Sequence, residues 1–220
     1  MGKDKLIRFA QIAQRRNVVE EGKPIFSTIK GNWRSFFGNE NPLFLELACG
    51  RGEYTTGLAA VYPDINFVGV DIKGARIWRG STVADENKLA NAAFLRIRMY
   101  QLLDFFEEAE VDGIWLTFPD PRPKDRQEKN RLTYIKYMKM YKHILKNNGR
   151  FHFKTDNPDL FAYTLEVLKD PELTIQNLEF TEDLYNSPYL AEHHGIETTY
   201  ERMFVKEGFT INYLKFTFGE

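Results

Sequence analysis

From residue 43 onward, short apolar runs alternate with longer amphipathic segments, and this alternation constrains the fold of the 220-residue chain more than any other feature. A short apolar run bounded by turn residues is typical of a strand buried in a parallel sheet. The predicted strands span residues 43–47, 66–70, 93–97, 111–118 and 150–154. Repeated strand–helix units build a mostly parallel sheet with helices on both faces, so an α/β fold is predicted.

The segments around these strands complete the predicted fold. Helices are predicted at 53–61, 73–89, 102–109 and 132–146, with another that ends at 169. Two late strands, 173–180 and 211–218, are separated by a long polar segment without a clear crossover helix, so we expect an antiparallel pair at one sheet edge. Residues 1–40 show only weak helical spacing among basic residues. They are predicted to be a partly ordered basic N-terminal extension to one domain at 41–220.

Composition excludes several classes of protein. Cys49 is the single cysteine, so no disulfide can form within the chain. No apolar run reaches the roughly 18 residues that a membrane span needs. The charged first nine residues lack the apolar run of a signal peptide, so we expect a cytoplasmic protein. The four histidines show no metal-ligand spacing, and no metal is expected. The net charge of −1 does not itself favour a nucleic-acid partner, although one basic face would be enough for it.

A glycine pair, Gly50 and Gly52, lies in the loop that follows the first predicted strand. In doubly wound sheets ligands bind at the carboxyl ends of the strands, where glycine lets them approach the backbone. Asp71 ends the second strand, at the distance where a carboxylate commonly accepts hydrogen bonds from ribose hydroxyls. A tight turn that needs glycine for its own conformation would show the same pair.

The residues around this loop distinguish between cofactors. The Gly-x-Gly-x-x-Gly pattern of dinucleotide sites is incomplete, because Thr55 stands where the third glycine would be. Glu46 and Glu53 would repel a pyrophosphate but favour a sulfonium cofactor with an ammonium group. The loop therefore favours S-adenosylmethionine over NAD.

A second motif, Phe118-Pro119-Asp120-Pro121, follows the fourth strand at the same edge of the predicted sheet. Proline on both sides of one residue can simply build a rigid turn. Because this edge faces the expected cofactor, Asp120 is also the best candidate for a carboxylate at the reacting group.

Four motifs occur together in a fixed order: Glu46-x-x-x-Gly50-x-Gly52, Phe118-Pro119-Asp120-Pro121-x-x-Lys124, Lys154-Thr155-Asp156 and Thr198-x-Tyr200-Glu201. In combination they resemble the bacterial tRNA (guanine-N7)-methyltransferase family, over nearly the whole chain from residues 5–9 to the last strand. The first motif is shared by many methyltransferases, whereas the other three together are discriminating. The resemblance implies a Rossmann-like class I S-adenosylmethionine-dependent methyltransferase, with a mostly parallel sheet and an antiparallel edge strand.

The resemblance also implies a role for individual residues. The catalytic residue would be Asp120, beside the cofactor and the reacting base. The residues implied at the cofactor are Glu46, Gly50, Gly52, Asp71, Arg98, Met99 and Asp120. Those implied at the tRNA are Lys124, Arg126, Lys129, Arg131, Asp156, Thr198, Thr199, Tyr200 and Glu201.

The chain departs from the family pattern at two places. Arg98 and Met99 stand where the family often has an acidic residue after the third strand, so one carboxylate contact to the cofactor is lost. The basic run after Lys124 is diluted by Asp125, Gln127 and Glu128, which weakens the expectation of tight tRNA binding rather than that of the chemistry.

The expected reaction needs positioning more than proton transfer. Guanine N7 has a free lone pair and would attack the sulfonium methyl group in line, which positioning can accelerate by roughly 7–11 kcal/mol at best. We hypothesise that Asp120 stabilises the cationic guanine that results. Asp156 or Glu201 could accept hydrogen bonds from the N1 and N2 positions of guanine and so select it over adenine.

Three basic regions could grip the RNA: the N-terminal arm, residues 124–131, and a lysine stripe on the helix at 132–146, which contains Lys136, Lys139, Lys142 and Lys146. A solvated helix face would explain the stripe equally well. By resemblance the modified guanine would lie in the variable loop of tRNA. The sequence leaves open whether the protein is a monomer or homodimer.

Two other functions remain open from the residues. A methyltransferase for a small molecule or a protein would keep the loop and Asp71 but would not need Lys124, Asp156 and the Thr-x-Tyr-Glu segment together. A non-catalytic RNA-binding protein with a degenerate cofactor pocket is suggested only by Arg98.

Overall fold

A computed structural model describes residues 3–219, with side chains from Leu6 onward. Met1 and Gly2, which begin the predicted extension, and Glu220, at the end of the predicted domain, lie outside the described residues. The strands are β1 Val18–Val19, β2 Leu43–Leu47, β3 Asn66–Val70, β4 Ala92–Leu95, β5 Val111–Thr117, β6 Leu145–Thr155, β7 Ile175–Thr181 and β8 Asn212–Phe218. The α-helices are α1 Lys3–Gln14, α2 Trp33–Phe37, α3 Glu53–Val61, α4 Gly74–Glu86, α5 Ile135–Ile144, α6 Pro158–Val167 and α7 Thr199–Lys206.

Within residues 3–219 the strands form one sheet in the order β1-β4-β3-β2-β5-β6-β8-β7. All neighbouring pairs are parallel except β6–β8 and β7–β8, which are antiparallel. The predicted fold class, a mostly parallel sheet with an antiparallel edge, is confirmed. The strand order reverses between β2 and β5, and ligands of such sheets bind at the carboxyl ends of the strands beside this reversal.

The N-terminal segment packs against the sheet more closely than the sequence predicted. Strand β1 pairs with β4, so that Val18 lies opposite Phe94. Arg15, directly after α1, donates hydrogen bonds to the Trp78 carbonyl and to Ser81 Oγ on α4. In α2 the Trp33 ring is buried, and its Nε1 donates to the Phe105 carbonyl at 3.0 Å. Through these contacts the segment is folded against the sheet, whereas only partial order was expected.

Several predicted elements differ in extent. The helix predicted at 102–109 is a short 3₁₀ helix at Met99–Asp104. The helix predicted at 132–146 spans Ile135–Ile144, because β6 begins at Leu145 and pairs there with Val111. The polar segment before β8 contains α7, which the sequence did not predict. Within the part of the chain that is described, no helix combines the length and apolar character that crossing a membrane requires.

Candidate active site

The loop after β2 holds its shape through backbone contacts and two left-handed glycines. The Cys49 N–H donates to the Val70 carbonyl, which ties the loop to β3. Gly50 and Gly52 have φ of 55° and 68°. A Cβ on Gly52 would lie 2.4 Å from the Phe94 ring, so this position needs glycine for packing as well as for conformation. The backbone conformation and packing of the loop therefore require glycine here, whether or not a ligand binds.

Glu46 presents a fully buried carboxyl group at the end of β2. Its Oε2 accepts hydrogen bonds from the Thr55 N–H at 2.7 Å and from Thr55 Oγ1 at 2.5 Å. Thr117 Oγ1 donates to Oε1 at 3.4 Å. Burial raises the pKa of Glu46 to about 8, and the hydrogen bonds from Thr55 only partly oppose this. A cation next to this carboxyl group would restore its charge, so Glu46 fits the ammonium or sulfonium group of S-adenosylmethionine.

The raised pKa of Glu46 makes a prediction for stability. The folded chain keeps this proton up to a pH of about 8, whereas the unfolded chain loses it near 4.5. Because the folded state binds more protons between these values, the contribution of Glu46 to stability falls as the pH rises through that window. Glu46→Gln keeps an acceptor for Thr55 and has no charge. We expect this variant to be more stable than the wild type at pH 8 by a few kcal/mol, since a tenfold change in proton affinity corresponds to about 1.4 kcal/mol.

Urea denaturation of both proteins without ligand at pH 5, 6, 7 and 8 measures this difference. The advantage of the Gln variant should shrink steadily toward pH 5. A constant difference across the series would show that Glu46 ionises normally in the folded chain.

Asp71 orders the loop from the end of β3. Its Oδ2 accepts a hydrogen bond from the Gly50 N–H at 3.0 Å, and its Oδ1 accepts one from the Lys73 N–H at 2.7 Å. The side chain is buried and does not line the cavity described below. Arg98 and Met99 also lie outside that lining; Arg98 is exposed and precedes the 3₁₀ helix that begins at Met99. The roles predicted for these three residues at the cofactor stay predictions.

A cavity of about 440 Å³ lies at the carboxyl ends of β2 and β5. Four of the predicted site residues line it: Glu46, Gly50, Thr198 and Tyr200. Phe118 of the motif after β5 lines it as well, so residues of three motifs that are distant in sequence meet around one space. Side chains that had no predicted place in the site also line it: Arg8 on α1, Arg51 after Gly50, and Arg76, Trp78 and Arg79 on α4. Glu53, whose charge favoured the sulfonium cofactor, lines it as well.

Asp120 is two residues from Phe118, which lines this cavity, but Asp120 itself is not part of the lining. It is exposed, accepts a hydrogen bond from the Arg122 N–H at 3.1 Å, and forms an ion pair with the Arg122 guanidinium at 3.2 Å. Phe118 and Arg122 have φ of 49° and 47°, in the left-handed region. Such non-glycine conformations cost of order 1–3 kcal/mol and cluster at functional sites. The motif is therefore a strained turn that carries an accessible carboxylate.

The basic segment that follows forms a 3₁₀ helix at Asp125–Asn130. Lys124, Arg126 and Lys129 are exposed, and none of them forms an ion pair with a described side chain. Arg131 differs, because its guanidinium lies 4.2 Å from the centre of the Tyr163 ring and its Nε donates to the Arg122 carbonyl. Arg131 thus ties the segment to α6, whereas the other three side chains are available to a ligand.

The predicted lysine stripe is largely paired within the protein, and only Lys136, Lys139 and Lys142 lie on α5, because Lys146 belongs to β6. Lys139 forms an ion pair with Glu172 at 2.6 Å, and Lys146 forms one with Asp112 at 2.8 Å. Lys142 donates to the Glu172 carbonyl and to Thr174 Oγ1. These internal partners weaken the hypothesis that the stripe grips RNA.

Helix α7 begins at the fourth motif and is held from two sides. Thr198 caps it, since Thr198 Oγ1 accepts from the Glu201 N–H at 3.0 Å. Thr199 donates from its N–H at 3.0 Å and from its Oγ1 at 2.5 Å to the Glu53 carboxylate of α3. Glu53 therefore fixes the fourth motif to the cofactor loop, a role that its place beside the glycine pair could have suggested.

Glu201 does not reach the cavity that its motif lines. Its side chain is completely buried and forms an ion pair at 2.5 Å with Lys154, which is also completely buried. Tyr185 donates a further hydrogen bond to the same Oε1 at 3.3 Å. The hypothesis that Glu201 hydrogen-bonds guanine is not supported by this placement. Asp156, which directly follows β6, is half-buried and has its pKa raised by burial.

In the described part of the chain, no three His, Cys, Asp or Glu side chains are arranged to hold a metal ion.

Known proteins resemble this chain in sequence and in fold. The methyltransferase family model Methyltransf_4 matches residues 40–214. A protein of Cytophaga hutchinsonii named tRNA (guanine-N(7)-)-methyltransferase is 49% identical and covers 99% of each chain. A Bacteroides fragilis protein of the same name is 42% identical over 98% of this chain and 86% of its own. Among solved structures, the 16S rRNA methyltransferase KamB has a TM-score of 0.65 at 12% identity, covering 93% of this chain and 99% of its own, which supports the fold alone.

Proposed function

Because the chain belongs to the tRNA (guanine-N7)-methyltransferase family, we propose that the guanine it methylates lies in the variable loop of tRNA and enters the cavity beside Glu46. The protein is an S-adenosylmethionine-dependent enzyme, and it methylates N7 of guanine in tRNA. One observation carries the placement of this reaction: the loop after β2, the turn after β5 and the start of α7 line a single cavity. Such a substrate is consistent with a cytoplasmic enzyme.

The residues of this cavity fit the cofactor through charge and backbone approach. Glu46 would hold a cationic group of the cofactor, and the loop at Gly50 would let it lie against the backbone. Asp71, which is outside the lining but contacts Gly50, would accept hydrogen bonds from its ribose. When bound, S-adenosylmethionine supplies a methyl group on a sulfonium, which guanine N7 would take in line. The protein need not remove a proton, so positioning and charge stabilisation are the tasks left to its side chains.

Two carboxylates would act on guanine. Asp120 would lie against the base and stabilise the positive charge that it gains. Its exposed pair with Arg122 does not prevent this, because exposed ion pairs are worth only about 0–1 kcal/mol and exchange partners easily. Asp156, with its pKa raised by burial, would accept hydrogen bonds from N1 and N2 of guanine. Thr198 and Tyr200, which line the cavity, would hold the nucleotide from the side of α7.

The reaction is tested with labelled S-adenosylmethionine, unmodified tRNA and nucleoside analysis of the product. We expect labelled 7-methylguanosine, and loss of the label when the variable-loop guanine is replaced by adenine. Label in another nucleoside, or label that survives the replacement, would contradict the proposal. A protein that binds tRNA but transfers no methyl group would instead support the non-catalytic alternative.

The pairing of the stripe lysines Lys139 and Lys146 makes a prediction for tRNA binding. The logarithm of the binding constant falls with the logarithm of salt concentration by roughly 0.7–0.9 for each phosphate contacted. We expect Lys124→Gln with Lys129→Gln to reduce this slope by about 1.5, because both side chains are exposed without acidic partners. Lys139→Gln with Lys146→Gln should reduce it much less, because the charge of each lysine is already balanced by an adjacent carboxylate. Filter binding over a salt series measures both, and equal slopes for the two double variants would contradict the assignment.

A further inference from the structure

Three arginine side chains, Arg51, Arg76 and Arg79, line the candidate cavity and are exposed to solvent. Arg51 follows Gly50 in the loop after β2. Arg76 and Arg79 are three residues apart on α4, a spacing that places them on one face of the helix. We call these three residues the arginine cluster.

The cluster carries positive charge that the protein does not neutralise. Among the described side chains, no carboxylate forms an ion pair with any member, although Arg76 Nη2 donates a hydrogen bond to Tyr200 Oη at 3.3 Å. Arg8, a fourth arginine of the same wall, differs because its guanidinium lies 4.8 Å from the centre of the Trp78 ring. Glu53 of the wall is engaged with Thr199 and Arg202. Three unpaired guanidinium groups at the rim of one cavity predict an anionic ligand there.

The cofactor alone does not account for this charge. S-adenosylmethionine carries a sulfonium, an ammonium and one carboxylate, so its net charge is positive, and its carboxylate can neutralise a single guanidinium. A guanosine within RNA brings a phosphodiester on each side. Guanidinium groups bind phosphate oxygens through paired hydrogen bonds, which makes arginine well suited to this contact.

We propose that the arginine cluster binds the phosphates that flank the target guanosine, an assignment that rests on the proposed function. A base that leaves its stacked position costs a few kcal/mol. Contacts to the phosphates of that same nucleotide offset this cost where it arises, and they hold the base at the cavity. The contact of Arg76 with Tyr200 joins the cluster to the motif at the start of α7.

Binding of an unmodified tRNA transcript to Arg76→Gln with Arg79→Gln tests the assignment. We expect the Kd for tRNA to rise at least tenfold and the salt slope to fall by roughly 1.5, since each phosphate contact contributes about 0.7–0.9. The Kd for S-adenosylmethionine, measured by calorimetry, should stay within twofold of the wild type. Arg76→Lys with Arg79→Lys should restore the slope but not the full affinity, because lysine keeps the charge and loses the paired geometry.

Arg34→Gln is the matched control, because Arg34 is exposed but pairs with Glu40. It should change neither Kd nor slope. The proposal is overturned if the Gln double variant binds tRNA with unchanged Kd and slope, or if it loses affinity for S-adenosylmethionine while tRNA binding is retained. Neither measurement needs catalysis. If the wild-type protein failed to methylate guanine, the proposed function would be contradicted, but the binding data would still test the role of the arginine cluster.

Discussion

Asp120→Ala is expected to lower the rate of methyl transfer by about 10²–10³-fold or more, while the Kd for tRNA changes little. Removal of one preorganised group that stabilises developing charge typically has an effect of this size. The carboxylate stands two residues after Phe118, which lines the cavity, and it is exposed. Single-turnover transfer of labelled methyl groups measures the chemical step, and filter binding measures tRNA affinity.

Two control variants separate this effect from a general change of charge or turn structure. Asp125→Ala removes an exposed carboxylate from the same segment and should keep nearly full activity. Arg122→Ala removes the cation that pairs with Asp120 and should leave the rate within a few fold, since that pair is exposed. Full turnover by Asp120→Ala would refute the catalytic role, and loss of tRNA affinity equal to the loss of rate would make Asp120 a binding residue only.

The sequence predicted the sheet because apolar runs and turn residues report burial directly. Runs such as Leu43–Leu47 and Asn66–Val70 could be recognised since strands between two helical layers are apolar on both faces. The two-residue strand β1 could not be recognised, because Val18 and Val19 form a strand only through their pairing with β4. Helix α7 was missed because it has only eight residues and leaves apolar side chains such as Met203 and Val205 exposed, so no buried face marks it.

The candidate site was predicted only in part. Glu46, Gly50, Thr198 and Tyr200 were found by motif and do line one cavity. A motif does not report which side a side chain faces, however, so Glu201 was assigned to guanine although it lies in a buried ion pair. The members of the arginine cluster come from a loop and a helix that only the fold brings together, so no local pattern in the sequence predicts the cluster.

Lys154 and Glu201 form the most deeply buried ion pair among the described residues, with neither side chain exposed at all. Lys154 stands on β6 between Phe153 and Thr155, and its Nζ also donates to Tyr54 Oη at 2.8 Å. Burial lowers the pKa of Lys154, and the neighbouring carboxylate of Glu201 opposes that change. The pair joins the central sheet to the first turn of α7, so it positions the motif that lines the cavity.

Lys154→Met is therefore expected to destabilise the fold by about 3–5 kcal/mol, because it leaves the Glu201 carboxylate buried without a cation. Lys154→Met combined with Glu201→Gln should recover a large part of this loss, since the glutamine carries no charge and can still accept the hydrogen bond from Tyr185. Urea denaturation of the two variants and the wild type measures the free energies of unfolding. The recovery distinguishes a charge effect from lost packing: a cavity left by the lysine would persist in the double variant. If the double variant were no more stable than Lys154→Met, packing around Lys154 rather than its ion pair would hold α7 in place.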